Sequence, residues 1–341
     1  MALIPELNVV TREVFMPLIV NQIWRKSPLL YRIFRISKEG QWGMAYKSDG
    51  GRAILEPLEF QEALTDTASH GAYQQTDSLD IGLDETQDVV TAAKYTWKRY
   101  YVSVAIDNLE VKMNQGKARV FDEAAIKARS AMKILRKDLA QDLFAETYDG
   151  NKKMVGLQAI TAAPASGSDT VGEIPKTTSW WQGVQNTSGS SRDLTWVILN
   201  DLYTKTKKFG DGEPPTIFVT SDGVLQNYED SFSKTIVTGT SNTHGLRLAL
   251  SPGQAIEGGF PAFYFKRIPI VADPYCPSNT LFALNEKYLH WRILKQFDTR
   301  GWVNLKDISG KDYLRMIITG YGAFTTSCCR KQGIATNLNE A

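Results

Sequence analysis

The sequence has few of the residues that build disulfide or metal-bound frameworks. It contains three cysteines and three histidines in 341 residues. Cys276, Cys328 and Cys329 are too few and too unevenly spaced for a disulfide framework, which fits a protein that folds in a reducing cytoplasm. The histidines show neither HxxxH nor HxH spacing, the arrangement typical of a zinc site. We therefore expect no metal and no disulfide-rich secreted fold.

The chain also lacks an excess of one charge and a long apolar run. Thirty-nine basic residues against thirty-seven acidic ones leave a formal net charge of +2. Such a balance provides no global field for binding nucleic acid or a membrane surface. No window approaches the roughly 18 apolar residues of a membrane span, and no basic segment followed by an apolar one begins the sequence. With 43% hydrophobic residues, the chain can bury the cores of two or three packed units.

Motifs for catalysis and cofactor binding are missing as well. The sequence has no GxxxxGK[ST], no GxGxxG between a strand and a helix, and no GxSxG. Asp273 and Glu286 lie beside turns, where acids more often cap backbone groups than transfer protons. We expect no cofactor and no enzymatic activity. The alternative, an enzyme of unrecognised α/β type, requires a pocket lined by converging carboxylates or histidines.

Charge is instead arranged in blocks. Residues 1–40 form a mixed arm in which five of the six bases lie at one end, between Arg25 and Lys38, with no acid among them. Residues 53–93 contain no lysine or arginine but nine acids, and few large apolar residues, so we expect this segment to project from the body. The nine acids are Glu56, Glu59, Glu62, Asp66, Asp77, Asp80, Asp84, Glu85 and Asp88.

Two patterns predict the central elements. Val89 to Ile106 is rich in β-branched and aromatic residues and predicts one long strand, buried on both faces in its inner half. Residues 118–147 place apolar side chains at steps of three and four and predict a helix of about 40 Å. Acids in its first turn suit the helix dipole, and we expect Gly150 to end the helix.

A second α/β unit follows. Residues 161–192 are dense in small and polar residues and predict an irregular connection. We expect a helix capped by Asp193 and ending near Phe209, a buried strand over 216–220, and a helix from Ser221 or Asp222 to about Phe232. Strands are predicted over 260–273 and 280–285, and again in the tail over 302–326 with glycines as punctuation.

This order of elements resembles the major capsid fold of tailed bacteriophages, which encapsulins and the floor of herpesvirus shells share. The resemblance covers nearly the whole chain and rests on the arm, the acidic extension, the long helix, Gly156-Leu157 and one late motif. That motif runs from Tyr264 through Pro269-Ile270 to Asp273 and continues in the segment 281–289. The resemblance implies an α+β fold with four parts. These are an N-terminal arm (1–40), an extended β-hairpin loop (41–106), a peripheral domain with the spine helix 118–147 and a β-sheet (107–155 plus 281–341), and an α/β axial domain (156–280).

The resemblance implies a structural major capsid protein that assembles through pentamers and hexamers into an icosahedral head around double-stranded DNA. The alternative is an encapsulin-type nanocompartment shell. Further expected partners are a separate scaffolding protein, a portal, possible decoration proteins and, by non-specific proximity, packaged DNA; no membrane is involved. The expected location is the virion, with assembly in the cytoplasm of the bacterial host.

The charge blocks predict how copies contact one another. If the acidic loop of one copy lies on the basic surface of its neighbour, the contact is heterologous and closes rings. The helix bases have two other interpretations, a solvated face or a surface toward packaged DNA. The acidic block holds no lysine, which argues against a covalent crosslink from its tip. The candidate contact residues are Arg25, Lys26, Arg32, Arg35, Phe60, Tyr73, Leu79, Ile81, Leu83, Val89, Arg129 and Lys133.

Overall fold

A computed structural model describes residues 26–33, 45–47, 50–59, 90–113, 123–163, 167–208, 212–237, 262–304 and 312–340. Its helices are α1 Pro28–Ile33, α2 Asn108–Met113, α3 Glu123–Phe144, α4 Leu157–Thr161, α5 Trp196–Lys208 and α6 Asp222–Val237. Its strands are β1 Ala45–Lys47, β2 Ala53–Glu59, β3 Val90–Thr96, β4 Lys98–Asp107, β5 Thr170–Val171, β6 Ile174–Pro175, β7 Val184–Asn186, β8 Ile217–Thr220, β9 Phe263–Phe265, β10 Ile268–Ala272, β11 Leu281–Leu284, β12 Leu289–Asn304, β13 Tyr313–Thr326 and β14 Gly333–Ala335.

The chain divides into two compact units. The smaller unit contains Tyr100–Lys137 and Phe297–Gly320, and the larger contains Lys26–Arg99, Asp138–Gln296 and Tyr321–Ala341. The division falls within α3, β4, β12 and β13, so these elements contribute residues to both units. It does not follow the four parts predicted from the sequence, which stay a prediction.

A six-stranded mixed sheet forms the centre of the larger unit. Its order is β7-β14-β11-β8-β10-β9, with parallel pairing of β8 with β10 and of β7 with β14. Every residue of β8 and β11 is buried, because helices or loops cover both faces of a central strand. This explains why their sequences, IFVT and LFAL, are almost continuously apolar.

Two helices cover one face of this sheet. Leu199 and Leu202 of α5 and Val224 and Tyr228 of α6 share a buried cluster with Phe218 of β8. Fully burying each such side chain contributes about 1.5–3 kcal/mol. The predicted helix-strand-helix order is confirmed, with different boundaries.

The boundaries of these helices differ from those predicted. Helix α5 begins at Trp196, and Asp193 does not cap it; its carboxylate instead accepts hydrogen bonds from the amides of Asn227 and Asn339. Helix α6 continues to Val237, five residues beyond the predicted end at Phe232. Local composition does not reveal the partners of Asp193, because Asn227 and Asn339 are distant in the sequence.

The long helix α3 is confirmed over Glu123–Phe144, whereas residues 118–122 lie outside the described part. The helix ends at Phe144, so Gly150 does not end it. The backbone directly after the helix lies very close to residue 156, since a Cβ on Gly156 would lie 1.8 Å from the carbonyl oxygen of Ala145. Phe144, the last residue of the helix, packs against Phe282 at 5.7 Å between ring centroids.

The predicted single strand from Val89 to Ile106 is wrong. The strand is interrupted at Trp97, whose indole Nε1 donates a hydrogen bond to the carbonyl oxygen of Gly51 at 2.8 Å. Strand β3 pairs with β2 in a two-stranded sheet, while β4 joins a second sheet of order β1-β12-β13-β4. A change of partner therefore divides an apolar run that looks continuous. Burial alternates along both strands, so burial on two faces is wrong as well.

The predicted strand over 260–273 is a hairpin. Lys266 and Arg267 connect β9 to β10 with φ values of 49° and 69°. Positive φ at both central residues is the geometry of the tight hairpin turn that glycine and asparagine usually supply. Lys266 compensates through its side chain, which donates to Asn200 Oδ1 at 2.6 Å and lies 4.3 Å from the Tyr203 ring centroid.

The connection 161–192 is more regular than its composition predicts. It contains β5, β6, β7 and a short 3-10 helix over Ser179–Trp181. Trp181 is buried and donates to the carbonyl oxygen of Val171 at 2.8 Å. Fully buried Lys176 donates to the carbonyl oxygens of Ile160 and Trp181, and its burial lowers the pKa of its ammonium. In the tail, Gly301 and Gly320 lie inside strands and do not punctuate them.

Candidate interaction surfaces

The described end of the N-terminal arm is held by two carboxylates of the larger unit. Asp273 is fully buried and accepts hydrogen bonds from Ser27 Oγ at 2.5 Å and from the backbone nitrogens of Leu29 and Tyr275 at 3.3 and 3.0 Å. Burial raises the pKa of this carboxyl group above its ordinary value, although the three donors oppose the shift. Asp273 therefore caps backbone groups, as expected of an acid beside a turn.

Two candidate contact residues lie in this segment. Lys26 is exposed. The Arg32 guanidinium is bound by Glu286 of the same chain through two hydrogen bonds of 2.7 Å. The charge of Arg32 is thus largely neutralised within the subunit, which a sequence pattern of five bases without an acid does not reveal. Thr216 Oγ1 donates a further hydrogen bond to Glu286 at 3.0 Å.

The other two described candidates, Arg129 and Lys133, belong to a basic stripe on α3. We define the basic stripe as Arg129, Lys133, Arg136 and Lys137, whose spacing places them on one face of the helix. Three of the four are exposed, and Lys133 is half-buried. Among the residues that the structure describes, none of these four has an ion-pair partner. By contrast, Lys127 of the same helix pairs with Glu110 at 2.9 Å.

Within the acidic block, the two described acids behave differently. Glu59 is exposed, as expected of a projecting acidic segment. Glu56 is only 4% exposed and binds Arg292 and Thr325, so this acid does not project from the body with the rest of the block as predicted. The strand period explains the difference, because Glu56 shares the inward parity of Ile54 and Leu58.

All eight other candidates lie outside the described residues, so the structure does not bear on them. These are Arg25, Arg35, Phe60, Tyr73, Leu79, Ile81, Leu83 and Val89. Nearby, however, the outer face of the β2–β3 hairpin exposes two large apolar side chains. Leu55 is 63% exposed and Val90 is 68% exposed. Neither was predicted as a contact residue. The alternation of side chains along a strand could have predicted the exposure of Leu55, because Leu55 and the buried Glu56 point to opposite faces.

The described residues do not assemble a reactive centre. No group of three or more His, Cys, Asp or Glu side chains among them has the geometry to hold a metal ion. Burial raises the pKa of the Cys329 thiol to about 12, and it also raises the pKa of Cys276, so both thiols stay protonated and unreactive near neutral pH. Among the described helices, none is long and apolar enough to cross a membrane.

Comparison with solved structures identifies the fold. The chain superimposes on a subunit of the cyanophage A-1(L) capsid with a TM-score of 0.70 and 15% identity, covering 97% of this chain and 98% of that one. A capsid chain of Myoviridae phage XM1 gives 0.55 and 13%, covering 99% of both chains. The SrpI encapsulin of Synechococcus elongatus PCC 7942 gives 0.56 and 10%, covering 99% and 97%. No curated protein matches the sequence.

These similarities define the class: the protein has the α+β tailed-phage capsid fold that encapsulins share, as the sequence predicted. The family is narrower. Residues 85–332 match the model of the SU10 major capsid protein family, and this is more than two thirds of the chain. The chain belongs to the SU10 major capsid protein family. It is a structural shell protein of a phage virion, and the encapsulin alternative is secondary.

Proposed function

We propose that copies of this chain form rings of five and six subunits, and that these rings build an icosahedral shell around double-stranded DNA without catalysing a reaction. Family membership and the capsid fold support self-assembly. The specific proposal concerns the contact between neighbours. We infer that the acidic block of one subunit, residues 53–93, binds the basic stripe of the next.

The unpaired charge of the basic stripe carries this proposal. Four positive side chains on one helix face repel one another, and no acid among the described residues compensates them. Two other bases are paired within the subunit, Arg32 with Glu286 and Lys127 with Glu110. An acidic segment from a second copy provides the missing counter-charge.

Contact between two different surfaces of identical subunits is heterologous, and it closes into rings when the rotation per subunit divides a full turn. Exposed ion pairs contribute only about 0.2–1 kcal/mol each, so charge fixes register while buried apolar area supplies most of the affinity. The exposed side chains of Leu55 and Val90 provide such area within the acidic block. The apolar candidates that lie outside the described residues, Phe60, Tyr73, Leu79, Ile81, Leu83 and Val89, are proposed to extend it.

The remaining proposals follow from the same assignment. Residues 1–40 act as an arm, 41–106 as an extended loop, 107–155 with 281–341 as the peripheral domain and 156–280 as the axial domain. Assembly takes place in the host cytoplasm with a separate scaffolding protein, a portal and decoration proteins. Packaged DNA contacts the inner surface without sequence preference.

The test is assembly of the full chain expressed alone, measured by size-exclusion chromatography and negative-stain microscopy at low and high salt. We expect rings or shells at low salt. The double substitution Arg129→Glu/Lys133→Glu should leave a folded subunit that no longer forms them, because it places acids opposite the acidic block. The matched control, Lys207→Glu/Lys208→Glu, makes the same charge change on exposed positions of α5.

Three outcomes separate the possibilities. Loss of assembly only in the α3 variant supports the contact between acidic block and stripe. Unchanged assembly of that variant, with weakened retention of added DNA, assigns the stripe to nucleic acid instead. A folded wild-type chain that stays monomeric even with the scaffolding protein of its own virus contradicts the proposal of self-assembly.

A further inference from the structure

The β2–β3 hairpin is a two-stranded sheet with different chemistry on its two faces. The strands pair from Ala53 opposite Thr96 to Glu59 opposite Val90. The outward face carries exposed side chains, including those of Leu55 and Val90. Because an isolated two-stranded sheet is marginally stable, its orientation depends on what the inward face contacts.

Glu56 makes the central contact of the inward face. Its Oε1 accepts hydrogen bonds from Arg292 Nε at 2.8 Å and from Thr325 Oγ1 at 2.9 Å, and its Oε2 accepts one from Arg292 Nη2 at 2.9 Å. The Glu56 side chain is almost entirely buried, whereas Arg292 is about one quarter exposed. One carboxylate of the acidic block is thus tied to both β12 and β13.

The second strand of the hairpin is attached to the neighbouring residue of β13. The Tyr95 hydroxyl donates to the carbonyl oxygen of Thr326 at 2.9 Å and accepts from its backbone nitrogen at 3.3 Å. Lys94 also donates its backbone N–H to the carbonyl oxygen of Gly172 at 2.9 Å. Thr325 therefore binds β2 through Glu56, and the next residue, Thr326, binds β3 through Tyr95.

These polar contacts restrict direction more than apolar packing would. Burial of apolar area is non-directional, so Ile54 and Leu58 alone would permit the hairpin to rotate or slide. A guanidinium bound to a carboxylate by two parallel hydrogen bonds fixes both distance and angle. The angle of the hairpin in turn sets where the exposed side chains of Leu55 and Val90 lie.

We propose that Glu56 is a positioning residue for shell assembly, which acts by fixing the β2–β3 hairpin to Arg292 and Thr325 so that its exposed Leu55 and Val90 meet the neighbouring subunit in register. This inference rests on the proposed contact between subunits. It assigns a role to a residue that does not itself reach the neighbour. Within one subunit, Glu56 would act as a clamp and not as part of the acidic contact surface.

The experiment compares Glu56→Gln with Glu59→Gln, which removes the same charge from an exposed, outward position of the same strand. Arg292→Lys tests direction separately, since it keeps the positive charge but loses the two-pronged geometry. For each variant we would measure the folded fraction by circular dichroism and the assembled fraction by sedimentation. The rate of amide hydrogen exchange over residues 90–96 would show whether the hairpin is still held in place. All three measurements are made at a temperature where the subunit is folded.

We expect Glu56→Gln and Arg292→Lys to fold but to assemble poorly. Their backbone amides over residues 90–96 should exchange at least about tenfold faster than in the wild type, the factor that corresponds to loss of one or two hydrogen bonds. Glu59→Gln should exchange as wild type does. If Glu56→Gln does not fold, Thr325→Val removes only one of the three hydrogen bonds and serves as the test.

Assembly of Glu56→Gln at the level of Glu59→Gln overturns the inference, even if the wild type builds shells. Wild-type chain that fails to assemble under every condition overturns the proposed function instead. In that case unchanged hydrogen exchange in Glu56→Gln would also contradict the clamp, so the two failures are distinguishable.

Discussion

Arg32 and Glu286 bind one another through two hydrogen bonds of equal length, Nε to Oε1 and Nη2 to Oε2, each 2.7 Å. They are 254 residues apart in the sequence. The pair attaches α1 to the segment that follows β11, beside the anchor that Asp273 provides. Arg32 was predicted to contact a neighbouring subunit, but it binds Glu286 and so holds the described end of the arm of its own subunit.

Replacing Arg32 with alanine should lower the free energy of unfolding by about 1–3 kcal/mol, because Glu286 is left as a mostly buried carboxylate without its cation. Urea denaturation followed by circular dichroism measures this. Lys26→Ala is the control, since Lys26 is exposed and the change should stay within about 0.5 kcal/mol. An equal change in the free energy of unfolding for the two substitutions would show that the Arg32–Glu286 pair does not stabilise the subunit.

Gly156→Ala should be among the most damaging single-methyl substitutions in the chain. The new Cβ would lie 1.8 Å from the carbonyl oxygen of Ala145, a backbone atom that cannot rotate away. Overpacking of this kind costs about 1–3 kcal/mol or more, so we expect a large drop in thermal midpoint or insoluble protein. Gly167→Ala is the matched control, because nothing lies within 4 Å of the position that its new methyl group would occupy. A Gly156→Ala variant as stable as that control would contradict this close packing.

His290 should make the stability of the subunit depend on pH. Burial, and next the positive charge of Arg292, lower the pKa of His290 below its ordinary value, while Glu56 opposes them. The unfolded chain therefore binds the proton more tightly than the folded one, so the free energy of unfolding falls as pH drops through about 6.5. Denaturation curves between about pH 5 and 8 measure the slope. His290→Gln should flatten it, and an unchanged slope in this variant would assign the effect to other groups.

The sequence was sufficient to predict elements whose burial repeats with a regular period. Helix α3 is such an element, with apolar residues at steps of three and four, and the structure confirms it over Glu123–Phe144. The strand Ile217–Thr220 was predicted instead from a short, continuous apolar run that follows two prolines, and it is confirmed as well. The capsid fold followed from the order of such elements, and the family match confirms it.

What could not be predicted depends on partners distant in sequence. The strand break at Trp97 follows from a hydrogen bond to Gly51, and the burial of Glu56 follows from Arg292, 236 residues later. Local composition does not show which acid of a block of nine finds a buried base. The basic stripe was predictable from helical spacing, but its lack of partners among the described residues required coordinates.

Strand β14 lies between β7 and β11, so the sheet of the larger unit is completed by residues 333–335. About 150 residues separate β7 from β14, and a ribosome adding roughly 5–20 residues per second needs about 7–30 s to make them. Until then β7 has no neighbour in this sheet, and the open side of β11 is unpaired. A nascent chain therefore cannot complete this sheet until residues 333–335 have been made.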